Sequence, residues 1–396
     1  MPEAVPGGGR RRFLGAAGGL LVLKSPTVFG SQANSAVEIG IVGCGGRGTW
    51  IGDLFQEFGG ARIAALADVF PSQIAASKAK LKADSARAYT GLEGYQELAA
   101  SKLDAVVIET PPYFHPEQAA AAVAAGKHVY LAKPAAVDVA GCRSILDSAR
   151  KAQGKASFFV DFQFRARPVY QECVSRVHGG DLGVTALAEF SYITGKIRPR
   201  DTAGLTAAQA RLRNWVFDKA LSGDIIVEQN IHAIDAGVWL LNAQPVKASG
   251  TGGRKIRTEV GDCWDHFQVT YWFPGDVRTM FFSTQCTRGL GGIRAALYGA
   301  DGAAEMIYNR TASITGTKPW KGPDKDDTFR GGAIDNIRVF LDAVRAGRIL
   351  NNAEESIRSN LTSILGRMAA YKHGTVSWDE MMRSNEKIDG RLAGIA

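Results

Sequence analysis

Three groups of residues stand where chemistry would need them. In HVYLAKPAAVD, the run Val129-Tyr130-Leu131 reads as a short buried strand that Pro134 ends, and Lys133 puts a cation at its tip. In GDIIVEQNIHAID, Glu228 and His232 are four apart, a spacing that on a helix places both side chains on one face. A histidine there suits proton transfer, because its ordinary pKa lies near neutral pH. In GCGGRG, Gly43, Gly45 and Gly48 follow the G-x-G-x-x-G order, with Gly46 and Arg47 inside it, and Asp68 stands about 20 positions further on.

That last combination is a dinucleotide pattern. Gly43 permits a tight turn, Gly45 lets backbone approach a pyrophosphate, and Gly48 allows a helix to pack close to a sheet. The anion then rests on the amide groups of a helix N-terminus. Asp68 suits the ribose hydroxyls and repels a 2′-phosphate, and Val69-Phe70-Pro71 after it supply no arginine for one, so NAD is expected over NADP.

Such side chains need a sheet to hold them. VEIGIVG, RIAALAD, DAVVIE, HVYLA and ASFFVDF read as apolar strands. Between them RGTWIGDLFQEF, PSQIAASKAKLKA, PEQAAAAVAAGK and DVAGCRSILDSARKAQGK read as helices, with Pro71 in a first turn and Asp138 as a cap. Repeated strand-helix-strand units imply a parallel Rossmann sheet with ligands at the carboxyl ends of its strands. After about Arg165 the pattern changes to TALAEFSYI, VKASGTG, DHFQVTYWF, RTMFFSTQC, IRAALYGA and AAEMIY. Phe267, Val269, Tyr271 and Phe273 alternate, the mark of an antiparallel sheet with one packed face. The expected fold is an α/β Rossmann domain over 36–165, then an α+β domain over 166–396 with a large open, mainly antiparallel sheet. The latter serves substrate binding and oligomerisation, and its C-terminal helices are expected to pack back on the first domain.

The net charge of +8 does not point to nucleic acid. Arg10, Arg11, Arg12 and Lys24 stand against Glu3 in residues 1–35, so the remainder carries about +5, without basic runs. The order Arg10-Arg11-x-Phe13-Leu14, followed by a glycine-rich apolar run to Leu23, resembles a twin-arginine signal, which exports folded proteins to the periplasm. That run is too short for stable membrane insertion. Five scattered cysteines without a CxxC pair give neither a disulfide scaffold nor a metal site.

The glycine loop, TPPYFHPEQA, AKPAAVD and GDIIVEQNIHAID together resemble the Gfo/Idh/MocA oxidoreductases of sugars and polyols, from about Val37 to the C-terminal region. The resemblance implies that Lys133 bonds the nicotinamide ribose and the reacting hydroxyl, and that His232 is the general base. It implies that Thr110, Pro111 and the loop before His115 run under the nicotinamide, with His115 either a cofactor contact or a structural residue. Glu228, where the family has aspartate, orients the imidazole or contacts the sugar, and Asp235 is the acid three after the histidine. The family's strand ends Glu-Lys-Pro; here Ala132 replaces the acid. Gln163, Arg165, Tyr192 and Asn230 are candidate substrate contacts, and no third ligand accompanies Glu228 and His232 for a metal.

The implied activity is exported, NAD-dependent hydride transfer at a carbohydrate hydroxyl by a homo-oligomer, dimer or tetramer, with the cofactor retained. An alternative is a glycoside-cleaving enzyme that oxidises a C3 hydroxyl, eliminates and reduces again with bound NAD. A further alternative is a silent binding protein, against which the presence of both Lys133 and His232 argues.

Overall fold

Six extended runs form the first sheet of the protein, whose computed structural model describes residues 36–395; the expected export signal in 1–35 lies outside them. The runs are β1 (Glu38–Val42), β2 (Arg62–Asp68), β3 (Arg87–Thr90), β4 (Ala105–Ile108), β5 (His128–Ala132) and β6 (Phe158–Asp161). All neighbours are parallel, in the order β3-β2-β1-β4-β5-β6. The order reverses between β1 and β4, which opens a crevice for a ligand at their carboxyl ends.

The crossovers are α1 (Gly46–Glu57), α2 (Pro71–Leu81), α3 (Gly94–Ala100), α4 (His115–Ala124) and α5 (Val139–Ala152). Pro71 occupies the first turn of α2, and the Asp138 carboxylate caps α5 by accepting from the Gly141 amide at 2.7 Å. Strand β3 and helix α3 escape the sequence pattern. Three of the four β3 residues are exposed, so that edge strand has no apolar period to detect.

Beyond the sheet come α6 (Gln163–Ala166), α7 (Pro168–His178), β7 (Thr185–Ile193), α8 (Ala207–Arg213), α9 (Lys219–Ser222), α10 (Ile225–Glu228) and α11 (Ile231–Leu241). The second sheet adds β8 (Lys247–Gly253), β9 (His266–Trp272), β10 (Arg278–Thr284), β11 (Gly292–Gly299), β12 (Gly302–Ile307), β13 (Ala312–Gly316) and β14 (Trp320–Lys321). Helices α12 (Thr328–Arg345) and α13 (Ala353–Lys372), strand β15 (Thr375–Ser377) and helix α14 (Trp378–Ser384) complete the chain. The nine strands run β14-β13-β12-β11-β7-β10-β9-β8-β15, antiparallel except for the β7–β10 pair. Phe267, Val269, Tyr271 and Phe273 are all buried on its packed face.

One core covers the first sheet and a larger one joins the two sheets. Ile51 and Phe55 of α1 share one with Tyr130, Ile337, Phe340 and Leu341, so α12 covers the Rossmann sheet from the far end of the chain. The larger core runs without interruption from Val129 and Leu131 through Ile231 and Ile234 of α11 to Phe281 and Ile314. The carboxyl ends of β4, β5 and β6 are thereby fixed against the start of α11.

Candidate active site

The glycine loop meets the requirements of a dinucleotide. Gly43 has φ +94°, and a Cβ there would lie 2.8 Å from the Glu109 backbone, so only glycine makes this turn. Nothing lies within 4 Å of a Cβ built on Gly45 or Gly46, which leaves open space over the first turn of α1. That helix has no side-chain cap, and its free amide groups point to the space where a diphosphate binds. Gly43, Gly45, Asp68, Thr110 and Pro111 line one cleft of about 700 Å³. The Asp68 carboxylate accepts from the amides of Cys44 at 2.7 Å and Phe70 at 2.8 Å, which fixes it at the end of β2. Burial raises its pKa, and those two amides and Arg213 oppose the rise. NAD is the cofactor these residues fit.

Lys133, at the tip of β5, does not stand alone. Its Nζ donates to the Glu228 carbonyl oxygen at 2.6 Å and to the Glu228 carboxylate at 3.1 Å. Both side chains are about nine-tenths buried, so removing either would leave the other unpaired away from water. Glu228 therefore orients the lysine. The continuous helix expected from the four-residue spacing is broken: α10 ends at Glu228 and α11 begins at Ile231, so Glu228 and His232 lie on successive short helices. Asp224 starts this segment at φ +73° and ψ 166°, a region costly for any residue but glycine. Its carboxylate holds the turn through the Ile225 amide, at 2.6 Å, and the Tyr371 hydroxyl, at 2.6 Å.

His232 is half-buried, and its ring centroid lies 5.6 Å from that of Tyr308. Burial, with the charges of Lys133 and Arg47, holds its pKa well below the usual histidine range. The imidazole is neutral at pH 7, the form that accepts a proton.

A second charged group lies beside the first. Arg47 turns away from the cleft and pairs with Glu109 at 3.0 Å and with Asp161 at 2.5 Å, and Asn336 of α12 donates to Asp161 at 2.6 Å. Burial pushes the Glu109 carboxyl up to about 7, with Arg47 opposing the rise. In register, Ile108 pairs with Leu131 and Ala132 with Asp161, so Glu109 and Asp161 flank Ala132 on the neighbouring strands. The acid missing at 132 is replaced by one on either side, bridged by an arginine from the glycine loop. Sequence reasoning missed Glu109 and Asp161, although the rule that singled out Lys133, a charge ending a buried strand, applies to both.

Several expected contacts are corrected by the geometry. His115 is fully buried, with Nδ1 2.9 Å from the Pro134 carbonyl and Nε2 2.8 Å from that of Thr110. Neither ring nitrogen is free for a cofactor; the residue braces the two loops that face it. Two carbonyls favour a charged ring, but burial dominates and lowers its pKa to about 4. Arg165 is not available to substrate, because it forks onto Asp235 at 2.8–3.1 Å and pairs with Glu355. Gln163 is spent on Tyr308, whose hydroxyl donates to it at 2.6 Å, and on the Phe329 carbonyl. Asn230 has no exposed surface, and neither polar atom of its side-chain amide has a hydrogen-bond partner among the described residues. Tyr192 is 8% exposed and close enough to Glu228 for that charge to raise its pKa, after burial. Among the described residues no cluster of three or more His, Cys, Asp or Glu side chains can hold a metal, and no helix is long and apolar enough to cross a membrane.

Comparison with known proteins gives a consistent result. Residues 37–161 match the profile of the oxidoreductase family with an NAD-binding Rossmann fold, and residues 172–305 match the GFO/IDH/MocA C-terminal domain. An inositol 2-dehydrogenase of Pseudomonas fluorescens is 26% identical over 324 residues, 79% of this chain and 88% of the relative. Two solved structures share the fold. Scyllo-inositol dehydrogenase from Lactobacillus casei, with bound NAD(H) and scyllo-inositol, aligns with TM-score 0.68 and 17% identity over 87% of this chain and 100% of its own. An oxidoreductase domain protein from Kribbella flavida aligns with TM-score 0.73 and 17% identity over 87% of this chain and 99% of its own.

Proposed function

The chain belongs to the Gfo/Idh/MocA oxidoreductase family, and we propose that it exchanges hydride between NAD and a secondary hydroxyl of a cyclic polyol or sugar. The inositol dehydrogenases among its relatives support that substrate class. One observation carries the reading: Lys133, clamped by Glu228, and neutral His232 are brought to the carboxyl end of β5 by segments about a hundred residues apart in sequence.

NAD, when bound, supplies the hydride acceptor for oxidation. The glycine loop and Asp68 hold it, and Thr110 and Pro111 line its cleft. Lys133 donates to the reacting oxygen and favours the alkoxide character that grows as hydride departs. His232 takes the hydroxyl proton, and for reduction its conjugate acid returns it. Glu228 keeps the ammonium aimed, while buried Tyr192 and half-buried Tyr308 limit water. An assay over cyclic polyols, free sugars and glycosides tests this. Ketone formed in step with NADH supports it; release of aglycone with no net change in NADH absorbance would instead indicate oxidation at C3, elimination and re-reduction.

Export by the twin-arginine route belongs to the same reading, supported by Arg10-Arg11-x-Phe13-Leu14. A protein exported folded takes its NAD with it, and a second carbonyl substrate then returns the enzyme to its starting state. Protein recovered from the periplasm is expected to carry dinucleotide by native mass spectrometry; an empty protein that needs added NAD contradicts residency. The open face of the nine-stranded sheet exposes Leu187, Met280 and Phe282 on adjacent strands, which suits a second copy of the chain. Light scattering that finds only monomer would contradict that pairing.

A further inference from the structure

The cleft that holds Asp68 has a roof from a distant part of the chain. Arg200, Leu212, Arg213 and Trp215 line it together with Gly43, Gly45 and Phe70. The segment is rigid: Asn214, nearly buried, accepts from the Arg200 amide at 2.8 Å and donates to its carbonyl at 3.1 Å. Helix α8 is closed by a capping box between Thr206 and Gln209. Ala208, Leu212 and Trp215 pack with Val69, Phe70, Leu92, Phe114 and Ile395 in a small separate core. The chain's last residues also join in, since Arg211 donates to the Arg391 carbonyl at 2.7 Å.

The two arginines are unusual in this setting. Other arginines nearby are engaged, as Arg211 is with Asp218. Arg200 and Arg213 make no side-chain hydrogen bond and no ion pair among the described residues, yet Arg200 lies within electrostatic reach of Arg213. Burial and the Arg213 charge together depress the Arg200 guanidinium. Arg213 is half-buried and within electrostatic reach of Asp68, whose carboxylate is already occupied by two amides. Two guanidiniums without protein hydrogen bonds that line one cleft leave fork-shaped donors that match phosphate oxygens.

We infer that Arg200 and Arg213 close over bound NAD and pair with its diphosphate, opposite the free amides of α1, so that the roof holds the cofactor in place. This deepens the resident-cofactor part of the proposed function. The residues just after Asp68 supply no arginine, but the chain brings two to the same cleft from more than 130 positions away. Asp68 remains the residue that disfavours a 2′-phosphate.

The test is binding to full-length protein stripped of nucleotide, by titration calorimetry with NAD, NADP, ADP and adenosine. Arg213→Ala deletes a charge-assisted hydrogen bond to the diphosphate and is expected to weaken NAD and ADP by about 10- to 100-fold, with a further loss in the double variant with Arg200→Ala. Adenosine binding is expected to change by less than about twofold, and Arg213→Lys to recover part of the loss. Arg200→Ala removes an exposed side chain that makes no protein hydrogen bond, so its result stands even if Arg213→Ala fails to fold. Unchanged NAD affinity in Arg200→Ala and in folded Arg213→Ala would overturn the inference. So would a loss confined to NADP, which would assign the pair to a 2′-phosphate. Wild-type protein that sheds NAD on simple dilution would refute residency alone, because the variant-to-wild-type ratio would still report the arginine contacts.

Discussion

The two ends of the cofactor cleft are built on different physics. At the chemical end, Lys133, Glu228, His232, Arg47, Glu109 and Asp161 are charged or titratable groups packed into a largely dry space. Burial among charged neighbours lowers the pKa of His232 and raises that of Glu109, and removing one member of a buried pair leaves the other stranded. At the adenosine end, the glycine loop and Asp68 form a floor, and Arg200, Leu212, Arg213 and Trp215 form a roof whose apolar part packs with Leu392 and Ile395. That roof contributes area, and its contacts are replaceable in a way that a buried ion pair is not. The lesson is a division of labour: substitutions at the first end change chemistry and folding together, while those at the second change how long the cofactor stays.

The sharpest way to break the contrast is His232→Ala. Turnover is expected to fall by about 10²–10⁴-fold while NAD affinity moves less than about twofold, measured by stopped-flow NADH absorbance and by titration. Comparable loss in both quantities would erase the distinction between the ends. Next in size, Lys133→Ala strands the nine-tenths-buried Glu228 carboxylate, and urea unfolding is expected to report a loss of about 3–5 kcal/mol. A variant as stable as wild type would mean that the pair is not the buried unit described.

Truncation after Lys387 probes the other end. It removes Leu392 and Ile395, which pack with Leu212 and Trp215 of the roof, and is expected to weaken NAD by about tenfold while leaving kcat at saturating NAD unchanged. The smallest effect is a pH dependence. Glu109, raised in the folded state to about 7, binds a proton more tightly folded than unfolded. Its contribution to stability is therefore full below the unfolded carboxyl pKa and is lost as pH rises toward 7. Wild type is expected to lose stability relative to Glu109→Gln over that window in calorimetry, and parallel curves would show that the carboxyl titrates normally.

What the sequence disclosed follows the same division. Strand tips were legible: Asp68, Glu109, Lys133 and Asp161 each follow or end an apolar run, and one rule finds all four, though only Asp68 and Lys133 stood out. The alternating strands of the second sheet were legible for the same reason, a local period. The pairing of Lys133 with Glu228 was not, because the expected single helix breaks at Gln229 and Asn230 and turns the carboxylate toward β5. Nor was the roof, since Phe70, Leu212 and Ile395 meet across hundreds of residues and leave no periodic trace. Arg165 read as a substrate contact because its partners, Asp235 and Glu355, are equally remote in sequence.

A crystal structure of the ternary complex with NAD and a cyclic polyol bears most directly on the chemical end. The expected result is one substrate hydroxyl within about 2.7–3.2 Å of both the Lys133 ammonium and a ring nitrogen of His232. A bound polyol whose hydroxyls reach neither group would contradict the assignment of proton transfer to this pair.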